Sequence, residues 1–205
     1  MNPPNGTIES GPVVAGLLLA AGGGRRLGGR PKALLSMGGQ PLVERTAEIM
    51  RAGGCAPLHV VLGADADEVN RRTRLDGCRV VVNADWARGM GGSLRVGLAS
   101  LTATDAGAAL VMLVDQPRIG SEAVARLIAA HRAGASLAAA AYDGERGHPV
   151  LFARRHWPEV TGAARDDRGA RDFLRAHAAQ VTLVECGDVA SPEDVDTPED
   201  LGLLD

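Results

Sequence analysis

Residues 17–35 read LLLAAGGGRRLGGRPKALL. An apolar run stops at three glycines, and Arg25, Arg26, Arg30 and Lys32 follow. Extended upstream, the run is VVAGLLLA, from Val13 to Ala20. It is apolar without alternation, which predicts a strand buried on both faces. Glycines after such a strand let backbone N–H groups close around an anion as a concave nest. A buried strand feeding a glycine loop is how an α/β sheet opens, with its ligand beyond the strand's carboxyl end.

Two familiar phosphate loops fit poorly. The pattern G-x-x-x-x-G-K-[ST] is absent, because Lys32 stands between Pro31 and Ala33. The dinucleotide pattern G-x-G-x-x-G accommodates Gly22 and Gly24 but meets Leu27 at its third glycine. Four cations exceed what a pyrophosphate diester needs and suit a triphosphate. A glycine turn with solvated arginines is the alternative reading. Lys32 is also the only lysine in a chain with 21 arginines. Lysine is a compact point charge where arginine is a planar fork. Position 32 therefore calls for a small ammonium among crowded oxygens, unless one lysine stands there by chance.

The rest of the chain keeps the rhythm of the opening. Strands are expected at Leu58 to Gly63, Arg79 to Asn83 and Ala108 to Asp115, separated by helical patterns. PLVERTAEIMRAGG opens at Pro41 and stops at Gly53-Gly54, DADEVNRRTR forms a polar helix, GGSLRVGLASL starts one near Ser93, and another is capped near Ser121. This order implies a parallel sheet with helices on both faces. SLAAAAY and HPVLFA flank DGERG as a hairpin at or beyond the sheet edge. DRGARDFLRAHA (helix), QVTLVEC (strand) and TPEDLGLL (closing helix) complete the chain. The first twelve residues are expected to be a flexible tail, and residues 13–205 one domain.

Composition excludes several classes. Net charge is −3, and aromatics are 2% of the 205 residues. A nucleic-acid binder needs a basic face or stacking platforms, so neither is expected. The apolar run before the glycines is too short to cross a membrane. Three dispersed cysteines form no zinc pattern and fit a reducing cytoplasm.

Two acids complete the candidate chemistry. Asp115 ends an apolar strand beside the glycine loop, where Mg²⁺ can be held by a carboxylate plus substrate phosphates; it could instead cap the following turn. Asp196, before Thr197-Pro198, is a second acid or the N-cap of the last helix.

These residues coincide with a family pattern. A-A-G-x-G-x-R-[LM]-G followed by P-K appears as Ala20 to Gly28 and Pro31-Lys32, with VDQP (Val114 to Pro117), GHPVLF (Gly147 to Phe152) and DVDTPED (Asp194 to Asp200). From Val13 onward the chain resembles the MobA-like nucleotidyltransferases, and within them the molybdenum cofactor cytidylyltransferases. The resemblance implies a Rossmann-like three-layer αβα sandwich, mostly parallel with a C-terminal hairpin, of the nucleotide-diphospho-sugar transferase kind. It implies that Arg26, Lys32 and Asp115 are catalytic, the first two gripping the triphosphate and Asp115 holding Mg²⁺, with Asp196 a second ligand or a neighbour of the metal. Ala20 and Ala21 would line the base pocket, with Gly22, Gly23 and Gly24 as the nest. Ser93 would meet the base and His148 the acceptor, although His148 could equally serve a hairpin turn. Arg168 or Arg171 could bind an acceptor phosphate or be surface charge.

The implied reaction moves CMP from CTP to a phosphorylated acceptor of molybdopterin type and releases pyrophosphate. Guanylyltransferase relatives read L-A-G-G where this chain reads Leu19-Ala20-Ala21-Gly22. The added methyl of Ala21 suits a pyrimidine, a discrimination of about 1–3 kcal/mol. Alternatives are GTP as donor, an NAD(P)H-dependent oxidoreductase on the same fold, or a non-catalytic carrier serving a molybdenum hydroxylase.

Overall fold

The computed structural model describes residues 12–205, so all but the last residue of the expected N-terminal tail lies outside the described residues. The main strands are β1 Val14–Ala20, β4 Leu58–Leu62, β5 Cys78–Val82, β6 Ala108–Leu113, β7 Leu137–Tyr142, β8 Glu145–Ala153 and β9 Thr182–Glu185. Ser36–Met37 and Gln40–Pro41 (β2 and β3) form a separate two-stranded ribbon. The helices are α1 Leu42–Ala52, α2 Ala66–Arg72, α3 Met90–Leu101, α4 Ser121–Arg132, α5 Trp157–Ala163 and α6 Arg171–Ala176.

The seven-stranded sheet runs β5-β4-β1-β6-β8-β7-β9. All adjacent pairs are parallel except the two made by β8. Alternation along each strand splits the core into two layers. Leu18, Val60, Leu110 and Met112 face one way with buried residues of α1 and α4. Leu17, Val61, Ala109 and Val111 face the other with those of α3, α5 and α6. Burying each Leu or Val contributes about 1.5–3 kcal/mol, so the aliphatic layers serve where aromatics are scarce.

The expected hairpin forms but does not lie at the edge. β8 sits inside the sheet between β6 and β7, and β9 forms the edge. The reason is burial. LAAAAY is buried throughout, and Val150, Leu151 and Phe152 are at most 3% exposed. Strands apolar on both faces need cover on both. TLVE in β9 is largely exposed and tolerates the edge.

Several boundaries also differ. Gly120 precedes α4 with no side-chain cap, so Ser121 is the first helical residue and caps nothing. α3 starts at Met90, ahead of Ser93, and the closing segment Pro198–Leu204 is 3-10 rather than α-helical. The short α5 was unexpected; Pro158 in its first turn was the available signal.

The topology fixes the place of any ligand. From β1 the chain moves outward through β4 to β5, then returns to the other side of β1 as β6. The reversal lies between β1 and β6, and a crevice opens beyond their carboxyl ends.

Candidate functional site

The glycine loop leaves β1 at this crevice and doubles back. Gly24 has φ 55° and ψ 43°, a left-handed conformation, and its carbonyl accepts from Leu27 N at 2.8 Å and Gly29 N at 3.0 Å. A Cβ there would strike the Arg30 carbonyl oxygen, so glycine is needed for both conformation and space. Lys32 N donates to the Gly22 carbonyl at 3.3 Å, returning Lys32 to the mouth of the loop.

Two carboxylates meet it. Lys32 Nζ donates to Asp115 Oδ2 at 2.6 Å and also to Asp196 Oδ1. Side-chain exposure is 13% for Lys32, 20% for Asp115 and 48% for Asp196, so the group is screened on one flank only. Burial alone would lower the Lys32 pKa, but the adjoining charges and hydrogen bonds of Asp115 and Asp196 outweigh it and hold the ammonium above its ordinary value.

Neither acid is a helix cap. The helix after Asp115 begins only at Ser121. Thr197 caps the last segment in a capping box with Asp200. Asp200 also accepts from Asp196 N at 3.0 Å, which leaves the Asp196 carboxylate free for Lys32. Val195 N donates to the Asp115 carbonyl at 2.8 Å, binding the C-terminal segment to the end of β6.

These groups line a cleft of about 550 Å³ with Ala21, Gly22, Gly23, Gly24 and Arg26. Ala20 does not line it: its side chain is 2% exposed and packs in the core. Arg25 and Arg26 are exposed on the cleft wall, with no ion pair among the described residues. Ser93 reaches the cleft from α3; it is buried, and its Oγ accepts from Asn83 Nδ2 at 3.0 Å. Gly89, at φ 110°, precedes α3 and lets the backbone of Asp166 approach without collision, bringing Asp167 to the cleft's far wall.

His148 lies elsewhere, in an adjoining pocket of about 340 Å³ that shares Leu19, Met90 and Leu113 with the cleft. Arg168 and Arg171 line that pocket too. Burial pushes the His148 imidazole down to about 4, with Arg146 and Arg171 adding to the effect and Asp115 opposing it, so the ring is neutral near pH 7. Asp194, on the same wall, is pushed up to about 6 by desolvation and by the charges of Asp115 and Asp196. Asp194 is exposed to solvent, so the neighbouring carboxylates contribute more than burial does.

Sequence reasoning gives no role to Trp86, Arg146, Gln116 or Asp194, although VDQP and DVDTPED contain the last two. Trp86 covers the glycine loop, and a Cβ on Gly23 would come within 2.9 Å of its ring. Its signal was the lone aromatic in NADWARG after a strand end. Asp194 stands two residues before Asp196, and the buried Val195 between them separates the acids between two walls.

Among the described residues no three His, Cys, Asp or Glu side chains cluster as a closed metal site. Asp115 and Asp196 offer two hard oxygen groups converging on one cation. That donor set fits Mg²⁺ or Mn²⁺ completed by phosphate oxygens and water, and does not fit structural zinc. No helix among the described residues is long and apolar enough to cross a membrane.

Residues 16–181 match the family described as the MobA-like NTP transferase domain. The chain is similar to nicotine blue oxidoreductase of Paenarthrobacter nicotinovorans, with 44% identity over 200 residues, 94% of this chain and 97% of that protein. It is also similar to a molybdenum cofactor guanylyltransferase of Shewanella sp. (strain MR-4), with 31% identity over 136 residues, 66% of each. Among solved structures, Rv0371c from Mycobacterium tuberculosis H37Rv superposes with a TM-score of 0.82 at 31% identity, covering 95% of this chain and 98% of that one. Rv0371c in complex with manganese gives a TM-score of 0.78 at 29% identity over 94% and 97%.

Proposed function

This chain belongs to the MobA-like NTP transferase family and is a nucleotidyltransferase on that ground; from that premise we propose that it transfers CMP from CTP to the phosphate of a molybdopterin-type acceptor. The observation that carries the reading is Lys32 bridging Asp115 and Asp196 at the mouth of the glycine loop. A triphosphate in the loop would meet backbone N–H groups, Arg26 and Lys32 together. Asp115 and Asp196 would hold a divalent ion, and the manganese complex of Rv0371c is consistent with that. Such an ion, when bound, neutralises charge on the phosphates.

The acceptor's phosphate oxygen attacks the α-phosphorus in line. The new P–O bond forms as the α–β bond breaks, and pyrophosphate leaves. A phosphate monoester is largely ionised near neutrality, so no strong general base is required. The protein's work is to orient the phosphates and balance their charge, which is the task Lys32 and Arg26 are suited to. Ala21 and Ser93 would bound the base, Ala21 favouring the smaller pyrimidine. We place the reaction in the cytoplasm, in one domain spanning residues 13–205. A molybdenum hydroxylase is the proposed recipient of the product.

Two readings compete on specific grounds. The Shewanella relative is a guanylyltransferase, which makes GTP the rival donor. The 44% identical relative is named an oxidoreductase, which makes reduction on the same fold the rival chemistry. Pyrophosphate release should be measured with each of the four NTPs, Mg²⁺ and molybdopterin, alongside NADH and NADPH consumption with the same acceptor. Release with CTP alone supports the proposal. Release with GTP reassigns the base, and nicotinamide oxidation without release replaces transfer by reduction.

A further inference from the structure

Trp86 stands in NADWARG, between β5 and α3, and the transfer chemistry leaves it without a part. The turn that carries it is tied down by backbone hydrogen bonds. Asn83 N donates to the Leu62 carbonyl at 2.8 Å, Trp86 N to the Asn83 carbonyl at 3.3 Å, and Gly89 N to the Trp86 carbonyl at 3.1 Å. From this turn the indole reaches the cleft and forms part of its wall.

Two glycines make room for the ring. A Cβ on Gly63, just past β4, would collide with Trp86 Cβ and lie 2.7 Å from its Cγ. A Cβ on Gly23, just past β1, would lie 2.9 Å from Cη2 and 3.0 Å from Cζ3 at the ring's far edge. Neither glycine is left-handed, so the backbone does not demand glycine at these positions and the indole does. One side chain from the segment after β5 thus packs against the ends of β1 and β4 together.

Gly23 is also the loop glycine with the least else to hold it. The Gly22 carbonyl accepts from Lys32 N, and the Gly24 carbonyl accepts from Leu27 N and Gly29 N. Among the described residues the Gly23 backbone makes no hydrogen bond, and the side chains that a Cβ there would meet are those of Trp86 and Ala64. Glycine loses more freedom on ordering than any other residue. Fixing one such residue at the moment of binding weakens a ligand about tenfold. A ring already seated against Gly23 avoids that loss.

We propose that Trp86 is a positioning residue whose indole fixes Gly23, so that the N–H groups of the loop are ordered before a triphosphate arrives. The proposal rests on the nucleotidyltransferase reading in taking a triphosphate as the ligand of the loop. It differs from a stacking role, in which the ring would touch the base.

The test is calorimetry in Mg²⁺ with two probes, inorganic tripolyphosphate and CTP. The proteins are wild type, Trp86→Ala, Trp86→Phe, Gly23→Ala and the Trp86→Ala/Gly23→Ala double variant. Trp86→Ala should weaken both probes by the same factor, about tenfold. Trp86→Phe keeps a ring beside Gly23 and should stay within about threefold of wild type. Gly23→Ala should weaken tripolyphosphate binding in wild type, where its methyl meets the ring, but by less than about twofold in Trp86→Ala, where the ring is gone. Where Trp86→Ala shows no cooperative urea transition, Trp86→Leu takes its place in the cycle with the same expectations. Loss of CTP affinity with tripolyphosphate unaffected is the result of stacking and would overturn the proposal. Additive effects of the two substitutions, the result of a ring that serves stability alone, would overturn it too, as would failure of wild type to bind tripolyphosphate. Coupled binding without pyrophosphate release from CTP and acceptor sinks the transfer reading alone; release with tripolyphosphate binding indifferent to Trp86 sinks this inference alone.

Discussion

Replacing Lys32 with Met removes the ammonium that separates Asp115 from Asp196 and leaves two carboxylates facing each other. Breaking a fully buried pair costs about 3–5 kcal/mol. Asp196 is half exposed and water screens it, so we expect about 1–3 kcal/mol. With a urea dependence of about 2 kcal/mol/M, the unfolding midpoint should fall by roughly 0.5–1.5 M at pH 7. The pH profile gives the cause. The Lys32 pKa is raised on folding, so its contribution is complete below the ordinary lysine value of about 10.4 and is lost only as pH rises through the folded value. The gap between wild type and variant should therefore be flat from about pH 6 to 10. Mn²⁺ without nucleotide should stabilise the variant more than wild type, because the freed carboxylates can hold it. Turnover should fall about 10²–10³-fold, the usual cost of removing one charge-stabilising donor. Equal midpoints at pH 7, or a gap that varies between about pH 6 and 10, would refute the reasoning.

Three further outcomes follow from the same geometry. Gly24→Ala should raise the nucleotide KM at least tenfold and lower stability, because a methyl there collides with the Arg30 carbonyl; unchanged kinetics would mean that the loop does not hold the phosphates. Asp200→Ala removes the capping box and the anchor of Asp196, so unfolding by urea should show a loss of about 0.5–2 kcal/mol together with weaker Mn²⁺ binding in the presence of nucleotide. The His148 ring should titrate near 4 by NMR. Its pKa falls on folding, so the unfolded chain binds the proton more readily and this group's contribution declines as pH drops from about 6.5 toward 4; a midpoint near 6.5 would contradict its burial.

Much of this architecture is legible in the sequence because the central parallel strands β1, β4 and β6 are largely apolar runs followed closely by glycine or an acid. Val13 to Ala20 and Ala108 to Asp115 show both features, and they bracket the site. Lys32 stands out through composition, as the only lysine among many arginines. What escapes depends on contacts distant in sequence. DGERG marks a turn, but nothing local says that β8 enters the sheet between β6 and β7; only the shared burial of the Ala run and HPVLFA does. Asp196 beside Thr197-Pro198 looks like a cap, and only Asp200 three residues past Thr197 hints that the cap lies at Thr197. Ala20 follows the loop motif into the site by pattern, yet strand alternation turns its side chain into the core while Ala21 faces the cleft.

The central claim is that this centre moves a nucleotide rather than a hydride. The most direct measurement follows label from [α-³²P]CTP in the presence of Mg²⁺ and molybdopterin, with wild type, Lys32→Met and Asp115→Asn. The account predicts label on the acceptor and unlabelled pyrophosphate for wild type, with both lost in the two variants. Label that stays on CTP while NADH or NADPH is consumed would contradict it.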